Sequence, residues 1–188
     1  MAYEKSSNDE EYVIRNIARI YRRFAIDRNL RKHMFYVAGV GAFICRHWKG
    51  KRIDDKLVIS SLLVHDLGNI VKYYGIRSKK LLLLKNKFVK KYGKNAHSAT
   101  IKMLKEIGIR DSRLLSVVRA ITLDSLSSPE IVKSKDWEKL ICMYSDWRVS
   151  PKGVVSLDER FDYFMQRYRI EEERIIATMK VVMGETAW

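Results

Sequence analysis

Apolar positions recur at steps of three and four along nearly the whole chain. From about Glu10, the residues Tyr12, Val13, Ile17, Ile20, Tyr21 and Phe24 share one helical face, with Arg15, Arg19, Arg22 and Arg23 on the other. The period continues over Asn29 to Trp48 through His33, Tyr36, Val37, Val40, Gly41 and Ile44. Gly39 and Gly41 are expected to permit close helix approach, and Gly50 to end the segment. Asp54 or Asp55 is a natural N-cap for a third helix through Leu57, Val58, Ser60, Ser61, Leu62 and Val64, whose small residues predict packing on several sides. Residues 77–94 interleave Leu81 to Leu84, Phe88, Val89 and Tyr92 with basic residues, which predicts a helix with a leucine-rich inner face. Further helices are expected over Ala96 to Ile107, from Asp111 or Ser112 to Ile121, and from about Lys135 to Asp146. A last helix starts at Ser156, where Ser156-Leu157-Asp158-Glu159 has the form of a capping box. Ser125 to Pro129 and Trp147 to Gly153 read as loops, and no stretch shows a strand period. The expectation is an all-α fold, a compact multi-helix bundle forming a single domain over 1–188. Its N-terminal helix covers about 10–28, its core about 29–168 and its C-terminal helix about 156–185.

A few polar residues interrupt this pattern where apolar ones would be expected. Leu62-Leu63-Val64-His65-Asp66-Leu67-Gly68-Asn69 delivers a His-Asp pair from an apolar run, and imidazole and carboxylate are both ligands a divalent metal can use. Gly68 is expected to let the chain leave the helix in a left-handed conformation. His33 lies on an apolar stripe, where a histidine alone is ordinarily a satisfied core residue. Asp146 ends the apolar face of its helix, an uncommon place for an acid without a partner. There is no P-loop, no serine-hydrolase elbow and no HExxH motif.

The order of these residues is informative: a histidine, a His-Asp doublet 32 residues later, and an aspartate 80 residues after that. With the flanks Leu63-Val64-His65-Asp66-Leu67-Gly68, Arg148 after Asp146, and Val154 to Phe161, the chain resembles the HD-domain superfamily of metal-dependent phosphohydrolases over roughly residues 29–168. The resemblance implies a bundle of the HD-domain type and one divalent transition metal (Mn, Fe, Co, Ni or Zn) held by His33, His65, Asp66 and Asp146. Two imidazoles and two carboxylates suit such metals better than Mg²⁺. It also implies hydrolysis of a phosphomonoester or phosphodiester, foremost of a nucleotide, by metal-activated water, with Asp66 as both ligand and proton acceptor. His97 matches a position that holds a second metal in some relatives, but Ile121-Thr122-Leu123-Asp124 lacks the other expected histidine, so one metal is favoured. His97 then reads either as a phosphate-binding or proton-handling residue or as a helix-start residue of no chemical role. Asn69 stands where relatives often carry lysine, and Lys72, one turn on, is the substitute expected to neutralise phosphate. Arg148 is expected either to contact phosphate or to pair with a nearby acid.

Net charge is +15 and the pI about 9.8, which predicts attraction to polyanions. Much of that charge sits in the run Arg77, Lys79, Lys80, Lys85, Lys87, Lys90, Lys91 and Lys94, uninterrupted by acid. The run reads as a solvated face or as an anion-facing patch beside the site. The alternative function is therefore an HD-fold nucleotide- or nucleic-acid-binding sensor or scaffold with little or no turnover. Partners expected are a small phosphorylated substrate or nucleic acid, and no membrane. The polar N-terminus MAYEKSSNDEEY lacks the pattern of a signal peptide, so a cytoplasmic location is expected. Cys45 and Cys142 form no CxxC pair and read as two buried, reduced thiols.

Overall fold

The computed structural model describes residues 7–73, 78–122 and 129–168, and they are mostly helical. In chain order the helices are α1 (Ser7–Arg23), α2 (Arg28–His47), α3 (Asp55–Val64), a 3-10 turn (Leu67–Lys72), α4 (Lys79–Tyr92), α5 (Ala96–Glu106) and α6 (Ser112–Ala120). They continue as α7 (Pro129–Ser134), α8 (Trp137–Trp147) and α9 (Leu157–Tyr168). No helix among the described residues is long and apolar enough to cross a membrane.

The central element is α3. It packs against α1, α2, α6 and α8, and residues 57, 58 and 60–64 are all buried. Asp54 caps its start, the carboxylate accepting from Leu57 N–H at 3.0 Å. Gly41 allows α2 to lie close: a Cβ there would fall 2.4 Å from Leu62 Cδ1. Gly39 is exposed with open space around it and takes no part in this approach. The buried stripe of α2 is Leu30, Met34, Val37, Ala38, Gly41 and Ile44. His33 and Tyr36 therefore sit at the stripe's edge rather than within it, and that edge faces a cavity.

Several expectations need correction. Gly68 has no left-handed backbone; among the described residues the glycines with positive φ are Gly93, Gly108 and Gly153. Its missing side chain is needed for packing instead, since a Cβ would lie 2.1 Å from the Ala96 carbonyl oxygen. Helix α2 ends at His47 with Trp48 as its cap, before Gly50, which packs under the Trp48 indole. Residues 149–154, expected as loop, form an antiparallel ribbon of β1 (Val149–Ser150) and β2 (Gly153–Val154), pairing Val149 with Val154 and Ser150 with Gly153. Two-residue strands are too short to show alternation, and Gly153 at φ 123° makes the tight turn. Pro129 starts α7, where its fixed φ suits the first helical turn; α8 then begins at Trp137 after Asp136, not at Lys135. The loop expected at 125–128, and the C-terminal helix beyond 168, lie outside the described residues.

On α4, Phe88 and Tyr92 are buried, but Leu81, Leu82 and Leu83 are exposed, Leu83 by 62%. Of the leucine run only Leu84 packs inward against the core, beside Val89. Cys142 is buried, and burial pushes its thiol well up; Cys45 is only partly buried, with burial the main cause that pushes it up to about 11. Both thiols are free.

Candidate metal centre

The site is built at the C-terminal end of α3, where a helix leaves its last carbonyls without partners. Side chains take two of them. Tyr21 O–H donates to the Leu63 carbonyl at 2.7 Å, and His65 Nδ1 lies 2.7 Å from the Leu62 carbonyl. A carbonyl can only accept, so Nδ1 carries the proton, and in the neutral ring the Nε2 lone pair is free. The chain then turns through Asp66 into the 3-10 helix. Asp66 stands at the cap position of that helix but makes no side-chain cap bond, which leaves its carboxylate for other work.

His33 from α2 and Asp146 from the last turn of α8 meet this pair. His33 Nε2 lies 3.1 Å from Asp146 Oδ1 and 3.6 Å from Asp66 Oδ2. His65 Nε2 lies 3.3 Å from Asp146 Oδ1 and 3.7 Å from Asp66 Oδ2. The ligand atoms of His33, His65 and Asp66 lie within 4.8 Å of one another, the one such group of three or more among the described residues. Asp146 joins it through the two imidazoles. Donors about 2.1 Å from a common ion stand about 3.0 Å apart at octahedral right angles and about 3.4 Å apart at tetrahedral angles. The four imidazole–carboxylate separations, 3.1–3.7 Å, lie close to these values, whereas Asp146 falls outside the 4.8 Å group and would have to swing inward to share the ion.

One atom tests whether a cation fits. His65 Nε2 is buried, its side chain only 1% exposed, and has no hydrogen-bond partner. The nearest acidic oxygen, Asp146 Oδ1, lies 3.3 Å away. A buried polar nitrogen left so is costly, and a metal would satisfy it. The electrostatics agree. Burial opposes positive charge on His65, yet the Asp66 and Asp146 carboxylates outweigh it and push the imidazole up to about 9. Burial also opposes ionisation of Asp146, and the His33 and His65 imidazoles override it, holding the carboxyl well below the usual range. Neither Asp66 nor Asp146 pairs with a lysine or arginine among the described residues. The site is thus short of positive charge, and its donor set suits a transition metal.

His33, Asp66 and Asp146 open into a cavity of about 1140 Å³. Lys72 and His97 line it, as do Asn69 and Thr122. Arg148 does not: its Nε donates to the Val155 carbonyl at 2.7 Å and its Nη1 to Tyr144 O–H at 2.8 Å. It ties the segment after the ribbon to α8 through two of its five N–H donors. Of the basic residues at 77–94, Lys94 alone among the described ones lines the cavity. The sequence pattern did not single out Lys32, Tyr36 or Tyr73, which also line it. Asp27, another lining residue, caps α2 through one oxygen and accepts the Tyr73 hydroxyl through the other. An aspartate two residues before Asn29 was a readable cap signal; the Tyr73 contact, 46 residues away, had none.

Comparison of this chain with family models, with curated proteins and with solved structures yields no match.

Proposed function

We propose that this chain is a single-domain bundle of the HD-domain type and a metal-dependent phosphohydrolase. Its substrate would be a phosphomonoester or phosphodiester, in our reading a nucleotide. The observation that carries the proposal is the convergence of the buried His65 Nε2 with two carboxylates and a second imidazole. His33, His65, Asp66 and Asp146 hold the cation. When bound, such a cation supplies Lewis-acid chemistry, acidifying a water and offsetting charge on phosphoryl oxygens.

The chain's own residues do the rest. Asp66 directs Oδ2 toward the imidazoles, and its other oxygen accepts the proton of the attacking water. His65 is not free for that role, because its Nε2 would be taken by the cation and its Nδ1 already carries the proton held by the Leu62 carbonyl. Lys72 and His97, on the cavity wall, receive the substrate's phosphate. The test is elemental analysis of purified protein, with a screen over nucleoside mono-, di- and triphosphates, cyclic nucleotides and dinucleotides in the presence of several metals. A stoichiometric transition metal and turnover of one class are expected. Undiminished hydrolysis by metal-free Asp66→Ala protein would overturn the assignment.

One observation favours the second reading, a nucleotide- or nucleic-acid-binding sensor or scaffold with little turnover. Lys79, Lys80, Lys87, Lys90 and Lys91 are exposed on α4 and line no part of the cavity. An RNA affinity that falls steeply with salt, together with no turnover in the screen, would establish it.

A further inference from the structure

The turn that carries His65 and Asp66 is fastened from outside the site. Gly68 N–H donates to Thr100 Oγ1 at 2.9 Å, and Thr100 Oγ1 donates onward to the Ala96 carbonyl at 3.0 Å. The hydroxyl therefore has one accepting and one donating role, both filled, which fixes its rotation. Thr100 and Ala96 are 1% exposed and Gly68 is buried, so water is poorly placed to take over. The contact is also sterically exclusive. A Cβ on Gly68 would meet the Ala96 carbonyl oxygen at 2.1 Å and Thr100 N at 2.7 Å, both backbone atoms that cannot swing aside. The first turn of α5, which carries the cavity residues Ala96 and His97, is thus locked to the turn bearing two ligands.

We propose that Thr100 is the positioning residue of the metal centre. Its hydroxyl sets where Asp66 stands relative to His33 and Asp146, and sets the α5 wall of the cavity in the same register. It touches no ligand and no part of the cavity, and acts only through the Gly68 amide. The inference rests on the metal-centre reading given above. An ion bound by donors from separate elements is sensitive to small displacements of any one of them, and loss of an outer partner typically weakens a metal by roughly 10–100-fold.

The experiment titrates Co²⁺ into chelator-treated, folded protein and follows the d–d absorption bands, which report affinity and coordination geometry without any assay of activity. Wild type and Thr100→Ser, which keeps the hydroxyl, are expected to bind with similar affinity and spectrum. Thr100→Val, equal in shape but unable to accept from Gly68, is expected to bind roughly 10–100-fold more weakly with altered bands. Amide exchange needs no variant. The Gly68 amide should be strongly protected in the wild type, and more so on adding Zn²⁺. Wild-type affinity and spectrum in Thr100→Val, even with a lowered Tm, would reduce the threonine to a packing role and overturn the proposal while sparing the metal centre. If Thr100→Val does not fold, a fast Gly68 amide unaffected by Zn²⁺ would overturn it equally. Absence of Co²⁺ binding by the wild type would instead remove the metal-centre reading, and this inference with it.

Discussion

The two ends of α3 both gather ionisable side chains, but on opposite terms. At its N-terminal end the charges are matched. Arg113 donates to both oxygens of Asp136, at 2.5 and 2.7 Å, and to Glu138 at 3.1 Å; Glu138 accepts from Asp54 N–H at 3.1 Å. Lys139 adds a second cation to Asp136, and Lys56 pairs with Glu11. At the C-terminal end two aspartates face two imidazoles, with no lysine or arginine among the described residues paired to either acid. A charge cluster that completes itself holds helices together. One that is left a cation short is available for binding, and that imbalance rather than the number of charges separates the two.

The contrast is most sharply broken at the incomplete end. Asp66→Ala should remove the bound metal and lower hydrolysis by roughly 10²–10⁴-fold while leaving the far-UV spectrum unchanged. Retained metal, measured by elemental analysis, would contradict it. Arg113→Met, at the matched end, should do the reverse. Thermal melts should show a loss of about 1 kcal/mol, kept small because the guanidinium is partly solvated, with unaltered metal content.

Glu10 is the exception at the matched end. It is 2% exposed, and burial, with Asp54, Asp111 and Asp9 adding to it against Lys56, raises its carboxyl from 4.5 to about 7. Its neutral form is the one the fold favours. Stability from this group is therefore full below pH 4.5 and is lost as pH rises through about 7. Glu10→Gln should remove that slope and raise Tm at pH 8; an unchanged Tm–pH profile would rule the burial effect out. The smallest effect is expected from Arg148→Ala, which frees the Val155 carbonyl and Tyr144 hydroxyl. A slightly lower Tm with an unchanged KM is expected, whereas a raised KM would return Arg148 to the phosphate.

What could be read from the chain was whatever its periodicity repeats. The helices α1 to α6 follow from spacings of three and four, and the caps Asp54, Asn95 and Asp111 stand where short polar residues precede apolar runs. The approach of His33, His65, Asp66 and Asp146 depends on how α2, α3 and α8 dock, which local periodicity does not encode; only the resemblance in order and flanks pointed to it. What stayed illegible shares a physical cause. Arg148, Gly68 and Leu81 to Leu83 take their roles from partners or from the lack of them, and neither is visible in neighbouring residues. Gly68 is instructive: the residue type was noticed, but its use is a close approach to α5 rather than a turn.

The four donors do not come together on equal terms along the chain. His33, on α2, and His65 and Asp66, in the turn directly after α3, already form a compact group. Asp146 arrives from α8, 80 residues beyond Asp66. During folding, a cation would meet a three-donor grip as soon as the first helical pair docks, and a fourth donor only after most of the chain has closed around it. Ion affinity would then rise in two stages, and a bound ion would act as a clasp between donors 80 residues apart.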